Sequence, residues 1–174
     1  MSLQTRPWNR VPQPVYSLST TRNDRINMNI CTYVSPMTME PKQIMLGIYH
    51  HTKTFENLQE TRIGLLQILG IHQTRYINAL GKKSGMTVDK DTYLRKRVSY
   101  TASNGASDRT SARISDHQSL AYLSDCLAYV YLSVKTWTPE SDHDLVFCEV
   151  LGWKNIQEGI PLTTTYLKEK KIIR

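Results

Sequence analysis

"QIMLGIYHHTKTFENLQET" (residues 43–61) begins as a continuous apolar run and ends as a short, mostly polar helix pattern. An apolar run of this length is typical of a buried strand. In the second half, Phe55 and Leu58 are three residues apart and therefore share one side of a helix of one or two turns. This stretch predicts a fold built from strands, in which short helices only connect them.

The remainder of the chain repeats this pattern of short strands and shorter helices. Asn23 and Asp24 belong to a turn signal at residues 22–24 that separates two strand-like segments, and two prolines indicate a loop at residues 35–42. The predicted strands are residues 14–21, 25–34, 43–49 and 64–69, the later part of 120–137, residues 145–153, and a short final strand near 161–167. The predicted short helices are residues 54–61, 72–80 and 89–97. Residues 100–115 are polar and predict a long loop.

These elements favour a mainly β fold. Strands do not alternate with long helices, so a doubly wound parallel sheet is disfavoured. A small antiparallel barrel with peripheral helices fits best, and residues 120–153 are predicted to contain a hairpin. The length of 174 residues fits one domain, residues 1–174.

Composition narrows the function classes. No apolar stretch is long enough to span a bilayer, and the N-terminal segment lacks the apolar core of a signal peptide, so no membrane association and a cytoplasmic location are expected. The net charge of +7 suits an anionic partner, but the basic residues are scattered, so no nucleic-acid partner is expected. Cys31, Cys126 and Cys148 are predicted to be free, packed thiols.

Motifs of common hydrolase, nucleotide and metal sites are absent from the sequence. It contains no G-x-G-x-x-G, G-x-x-x-x-G-K-[ST], H-E-x-x-H or G-x-S-x-G segment. Only His50 and His51 are close together among the histidines, and adjacent side chains on an extended segment point to opposite faces. No metal site is predicted.

The segment "HHTKT" has the chemistry of an anion cradle. A helix that begins with Thr54 as its N-cap exposes backbone N–H groups at its positive end, which is a favourable place for phosphate. Thr52 adds a hydroxyl, Lys53 a full charge, and His50 or His51 a ring at the strand end. Threonine also caps many helices that bind nothing, so from this segment alone an ordinary helix start remains the alternative.

Four segments in the same order resemble the flavin reductase-like, FMN-binding split-barrel family. "NMNICTYVSPMTMEPKQIMLGI" (residues 27–48) resembles the family pattern N-x-x-P-x-S-x-x-x-P-V-S-x-x-P-P followed by an apolar strand, and "KTFENLQET" (53–61) resembles T-x-x-N-I-x-x-T-G. "SGMTVDKDTYLRK" (84–96) is similar to S-G-x-x-x-D-K, and "SDHDLVFCEVLGWKNIQEGIPL" (141–162) to G-D-H-x-L-F-x-G-E-V. The likeness covers about residues 11–161.

The sequence departs from these patterns at four positions. Arg62 replaces the glycine after the short helix, and Lys42 replaces the second proline of P-P. Ser141 replaces the glycine before Asp-His, and Cys148 replaces the glycine before Glu149.

The resemblance implies an antiparallel, Greek-key-like split barrel that binds FMN, with FAD also possible. The implied reaction is hydride transfer from NADH or NADPH to the flavin. Members of the family are generally homodimers, and a monooxygenase or another electron acceptor is a possible partner. An FMN-binding carrier or sensor that a partner protein reduces remains the alternative, and a nucleic-acid-binding small barrel is supported by charge alone.

The resemblance also suggests where each part of the ligands lies. The isoalloxazine edge would contact Thr32, Tyr33, Val34 and Ser35, and the ribityl phosphate would contact His51, Thr52, Lys53 and Thr54, with Asn57 as a weaker candidate. His143 would position the nicotinamide as the catalytic histidine. Ser84 and Lys90 would reach the flavin from a partner subunit, and the loop at 103–115 would cover the site or contact NAD(P)H phosphate.

Overall fold

The computed structural model describes residues 6–103 and 120–173. The strands are β1 (Tyr16–Arg22), β2 (Arg25–Cys31), β3 (Val34–Met39), β4 (Lys42–Tyr49), β5 (Ile63–Ile68), β6 (Tyr100–Ser103), β7 (Leu120–Leu123), β8 (Ala128–Thr138) and β9 (His143–Asn155). The helices are α1 (Lys53–Thr61), α2 (Ile77–Gly81), α3 (Lys90–Arg95) and α4 (Thr164–Glu169), with 3₁₀ turns at Pro7–Asn9 and Ile71–Tyr76.

Seven of the strands form one antiparallel sheet in the order β2-β1-β5-β8-β9-β4-β3, and β6 pairs with β7 separately. The two edge strands, β2 and β3, follow each other in the chain and are joined only by Thr32 and Tyr33. From Cys31 to Val34 the backbone spans about 10 Å at most. The sheet must therefore curl until its two edges nearly meet, which is a split barrel and confirms the predicted fold class.

The hydrophobic core has two parts, one inside and one outside the curled sheet. The inner cluster takes side chains from strands that are far apart in sheet order, such as Cys31 of β2 and Leu46 of β4, together with Leu58 of α1. Consecutive residues alternate between the clusters, since Leu65 lies in the outer one and Leu66 in the inner one. The outer cluster packs under α2, α3 and α4.

The β1–β2 hairpin confirms the turn predicted at residues 22–24. Asn23 and Asp24 have φ values of 49° and 57°, which is the left-handed conformation that a tight hairpin turn requires at both central positions. Asn and Asp tolerate this conformation better than other residues with a side chain. The hairpin between β8 and β9 is confirmed as well.

Three predicted loop or strand assignments were wrong. Residues 35–42 are not a loop but most of β3 and the start of β4; β3 tolerates Pro36 because it is an edge strand whose register with β4 shifts between Pro36 and Thr38. Tyr100–Ser103 is a strand rather than loop, and residues 104–115 of that expected loop lie outside the described ranges. The expected final strand makes only isolated bridges before Thr163 caps α4.

Buried positions agree with the predictions for the cysteines. Cys31, Cys126 and Cys148 are free and buried, and burial raises the pKa of each thiol to about 12. The tyrosines Tyr129 and Tyr131 are buried in the outer cluster. No helix within residues 6–103 and 120–173 is long and apolar enough to cross a membrane.

Arg62 offers a test of backbone strain. It follows α1 with φ 57°, the position where the family pattern has glycine, and its guanidinium lies 5.7 Å from the Trp137 ring centroid. Arg62→Ala keeps the strained conformation and loses the ring contact, whereas Arg62→Gly removes the strain. We expect the glycine variant to be more stable than the alanine variant by about 1 kcal/mol in urea denaturation. Equal stabilities would contradict this assignment of strain.

Candidate functional site

A groove follows β2 and is the candidate functional site. One cavity of about 330 Å³ and a second of about 290 Å³ share the lining residues Asn29, Ile30 and Tyr49, so they are continuous. We call the first the cationic end, lined among others by Thr52, Lys53, Thr54, Lys82, Lys83, Ser84, Gly85 and Lys90. We call the second the aromatic end, lined among others by Thr32, Tyr33, Tyr49 and His143.

The start of α1 lies at the cationic end, but Thr52 is its N-cap and not Thr54 as expected. The Thr52 Oγ1 atom accepts a hydrogen bond from the Phe55 N–H at 3.2 Å and donates one to the Tyr49 carbonyl at 2.8 Å. Thr54 is buried, and its Oγ1 accepts a bond from Asn27 Nδ2 at 2.9 Å. The helix starts two residues earlier than predicted. His51 has φ 55°, and this left-handed conformation turns the chain sharply at the end of β4.

Lys53 is partly paired within α1. Its Nζ donates to Glu56 Oε2 at 2.8 Å, and this hydrogen bond holds the pKa of Glu56 below its usual range. Both side chains remain about one third exposed, so the pair is weak and exchangeable for an incoming anion. Lys82 and Lys83 add exposed cationic side chains on the opposite wall.

The opposite wall is held in place by Lys90, which is buried. Its Nζ donates to the carbonyls of Leu80 at 2.7 Å and Lys83 at 2.6 Å, and burial lowers the pKa of Lys90 to about 8. Ser84 and Lys90 thus lie in the same cavity as Lys53 of their own chain. The expectation that they reach the flavin from a partner subunit stays a prediction.

Gly85 brings this wall into contact with α1. A Cβ atom at this position would lie 2.6 Å from Asn27 Oδ1 and 2.8 Å from Lys53 Cβ. No residue with a side chain fits without moving the wall, so the close approach explains the glycine of the Ser84–Gly85 pair.

The aromatic end is organised around His143. Its ring lies between the rings of Tyr33, with centroids 5.1 Å apart, and Tyr49, at 5.0 Å. The Nδ1 atom contacts Asp142 Oδ1 at 2.8 Å, and this bond lowers the pKa of Asp142. Among the described residues none hydrogen-bonds Nε2, so that nitrogen faces no competitor for a ligand. His143 and Thr32 also line a neighbouring cavity of about 480 Å³ with Val34 and Ser35.

Asp144 connects the turn before β9 with the end of β4 through a set of partly buried hydrogen bonds. Its carboxylate accepts hydrogen bonds from His50 Nε2 at 2.5 Å, from Trp137 Nε1 and from the Glu140 N–H at 3.2 Å. Burial alone raises the pKa of Asp144, but the bonds from Trp137 and His50 together hold it below its usual range. His50 also donates its backbone N–H to the Asp142 carbonyl at 3.0 Å. The turn that carries His143 is thereby fixed to the strand that leads into α1.

The structure brings together most of the residues predicted for the site. Eight line the groove or its neighbouring cavity: Thr32, Tyr33, Val34, Ser35, Thr52, Lys53, Thr54 and His143. His51 is exposed and lines none of these cavities, and Asn57 is buried with its Nδ2 bonded to Thr20 Oγ1 at 3.0 Å. Sequence reasoning missed Asn29 and Tyr49, which only the strand register reveals. In the described ranges no three His, Cys, Asp or Glu side chains are grouped to hold a metal ion.

The family model for the "Flavin reductase like domain" matches residues 8–170. The chain belongs to this family. No curated protein matches the sequence.

Solved structures of other proteins share the fold. An FMN-binding protein from Thermus thermophilus with bound 1-cyclohex-2-enone has a TM-score of 0.69 at 16% identity, covering 89% of this chain and 78% of that chain. The nitrilotriacetate monooxygenase component B homologue from Mycobacterium thermoresistibile has a TM-score of 0.71 at 13% identity, covering 90% and 77%. The flavin reductase HpaC complexed with NADP⁺ has a TM-score of 0.68 at 13% identity, covering 87% and 85%.

The Asp142-His143-Asp144 segment provides a matched pair of variants. Asp144→Asn places an amide N–H₂ group against at least one of three donors, so we expect the free energy of unfolding to fall by about 2 kcal/mol. Asp142→Asn changes an exposed carboxylate and should leave the free energy of unfolding unchanged within error. The pKa of Asp144 is lower in the folded than in the unfolded protein. Its contribution to the stability of the folded protein is therefore present above about pH 4 and is lost as the pH falls further. Urea denaturation at pH 7 and pH 3 measures both effects; equal losses in the two variants would contradict the prediction.

Proposed function

We propose that the groove binds the FMN unit of a flavin and that the protein reduces this flavin with NADH or NADPH. The observation that carries the proposal is the continuity of two unlike ends along β2. One end collects hydroxyls, cations and a helix start, which suit a phosphate. The other end collects rings and loop backbone, which suit a flat, conjugated ring.

The donors at the cationic end fit a ribityl phosphate. Lys53 and Lys90 would hold it, together with the backbone N–H groups at the start of α1, which Thr52 caps. A bound phosphate would replace Glu56 as the partner of Lys53. The charge of Lys90, which costs free energy to bury, would be stabilised by the same phosphate.

The groove between the two ends fits the remainder of the flavin. Asn29 lines both cavities, and its buried Oδ1 atom has no hydrogen-bond partner among the described residues. A ribityl hydroxyl or a ring N–H of the flavin would supply the donor that this acceptor lacks. The backbone of Thr32–Ser35 would line the isoalloxazine edge. Tyr33 would remain packed on the backbone of Gly47, where a Cβ atom would lie 2.9 Å from the Tyr33 Cβ.

When bound, the flavin supplies the redox chemistry by accepting a hydride from the reduced nicotinamide. The protein's part is to hold the nicotinamide against the flavin ring and to exclude water. His143 would do so from its place between Tyr33 and Tyr49, with Asp142 orienting its ring through Nδ1. The reported NADP⁺ complex of HpaC supports a nicotinamide reductant for the shared fold.

Two further features belong to the proposal. A homodimer is proposed from the family membership. An electron acceptor of the monooxygenase type is proposed because one structural neighbour is a monooxygenase component B. The alternative function is an FMN-binding carrier that a partner protein reduces, and the absence of direct reduction by NAD(P)H would favour it.

The absorption spectrum of the protein mixed with flavin tests the function directly. We expect the visible absorption band of the flavin to elute together with the protein in gel filtration. We expect this band to bleach when NADH or NADPH is added without oxygen. Bleaching by dithionite but by neither nucleotide would favour the carrier, and failure to bind any flavin would refute both functions.

Gly85→Ala tests the position of the phosphate. The added methyl group must push the 82–85 wall away from Lys53, so we expect the dissociation constant for FMN to rise about tenfold. Gly81→Ala is the matched control, because its Cβ would meet Ile30 at an ordinary contact distance of 3.4 Å. Isothermal titration with FMN compares the two. Similar dissociation constants for both variants would place the phosphate elsewhere.

A further inference from the structure

An arm formed by residues 6–14 lies along α4, and its residues 6–12 are all exposed. The Thr164 N–H donates to the Gln13 carbonyl at 2.9 Å, and the Gln13 N–H donates to Thr164 Oγ1 at 3.1 Å. Further along, Lys168 Nζ donates to the Asn9 carbonyl at 3.4 Å. These bonds place the arm and the helix side by side on one surface.

This surface concentrates positive charge. We call it the arm–α4 face and define it as residues 6–14 and 163–173. It carries one carboxylate, that of Glu169, and five cationic side chains: Arg6, Arg10, Lys168, Lys170 and Lys171. All five are exposed, and none of them forms an ion pair with another described residue. The face therefore has a net charge of +4, out of +7 for the whole chain.

The same face exposes two large apolar side chains. Trp8 is 66% exposed and Val11 is 58% exposed. The Arg6 guanidinium lies 6.0 Å from the centroid of the Trp8 ring, so charge and apolar surface are directly adjacent. Removing these two side chains from water would be favourable, which makes them candidates for contact with a partner.

The combination of unpaired cations and an exposed indole suits the surface of an anionic lipid bilayer. Lysine and arginine are attracted to anionic headgroups, and tryptophan prefers the layer between headgroups and acyl chains. A nucleic acid would attract the same cations. It offers no apolar layer for Val11, however, and the face lacks the row of aromatic side chains on which successive bases stack. The lipid surface is the partner that engages all of these groups.

We propose that the arm–α4 face docks the protein on anionic lipid bilayers, with Trp8 and Val11 in the headgroup layer and the five cations against lipid phosphates. Docking of this kind is peripheral and reversible and needs no spanning segment. It departs from the expectation of no membrane association, which considered only spanning segments and signal peptides. The proposal does not depend on flavin binding, since neither these two residues nor the five cations line the groove.

Co-sedimentation of the full chain with lipid vesicles tests the proposal. We expect binding to phosphatidylcholine vesicles that contain about 30% phosphatidylglycerol to be about tenfold tighter than binding to pure phosphatidylcholine. Raising NaCl from about 0.1 M to about 0.5 M should weaken it about tenfold, because salt screens exposed charges.

A pair of double variants tests the role of the cations. Arg10→Glu/Lys170→Glu should weaken vesicle binding about twentyfold or more, since each cation near an anionic surface strengthens binding about fivefold. Lys42→Glu/Lys96→Glu is the matched control. It causes the same change in net charge at two exposed lysines outside the face, and it should change binding less than about threefold.

Trp8 provides a direct signal of contact with lipid. The tryptophan emission of the wild type should shift to shorter wavelength on addition of the anionic vesicles, because the indole leaves water. Trp8→Ala should lose this shift and bind the vesicles about fivefold less tightly. Met39→Ala is the matched control: it removes an apolar side chain that is 77% exposed at the end of β3, and it should change neither readout.

Three outcomes would refute lipid docking by this face: no binding of the wild type to anionic vesicles, equal weakening by the two double variants, or an emission shift that persists in Trp8→Ala. Binding of a single-stranded oligonucleotide instead of vesicles, lost in Arg10→Glu/Lys170→Glu, would assign the face to nucleic acid and also refute it. Titration with FMN keeps the two proposals separate, since all variants should bind FMN as the wild type does. Equal urea midpoints would show that the variants are folded.

Discussion

The two-residue connection between β2 and β3 is the constraint on which the rest of the structure depends. Thr32 and Tyr33 join strands at opposite edges of a seven-stranded sheet, so the sheet can only form as a curled one. Curling encloses the inner apolar cluster, and it also leaves a split between the edges. The connection itself lies in that split, and both of its residues line the groove. The closure of the fold and the location of the site therefore have the same cause. Gly47 permits this short connection. Its N–H donates to the Tyr33 carbonyl at 2.8 Å, and because it has no Cβ atom Tyr33 can pack against β4.

Electrostatics at the cationic end favour an anion over the pairs that the protein makes by itself. The Lys53–Glu56 pair is partly exposed, and pairs of this kind contribute less than about 1 kcal/mol. Lys90 has two carbonyl partners but no counter-ion among its hydrogen-bond partners, and its lowered pKa of about 8 reflects the cost of burying its charge. A phosphate adds a full counter-ion at little loss of existing interactions. Under the proposed function, phosphate binding would offset the free-energy cost of burying the charge of Lys90.

The sequence was sufficient for most of the large sheet, but not for β3 and β6, nor for details that depend on single backbone angles. Asn23 and Asp24 signal their turn because few other residues adopt a positive φ cheaply. His51 adopts the same conformation without any such signal, and this shifted the N-cap from Thr54 to Thr52. The proline-containing edge strand β3 was mistaken for a loop because strand propensity cannot reveal which strands need only one partner. Asn29 and Asn57 belong to two different segments of the family resemblance, and only burial and strand register show that Asn29 lines both ends of the groove.

The departures from the family pattern affect the scaffold more than the groove. Arg62 has a left-handed backbone, so the missing glycine there costs strain at the end of α1. Ser141 has no positive φ, so a glycine's conformational freedom is not needed at that position, and Cys148 is buried in the inner cluster. Lys42 begins β4 at its exposed end. None of the four lines the cationic or the aromatic end, although Ser141 lines the neighbouring cavity beside His143. His143 keeps its place because β9 alternates sides: Asp144 points to the buried network with His50 and Trp137, which leaves the preceding side chain toward the groove. A chain can thus lose several of the family's glycines and still retain the groups that the proposed chemistry requires.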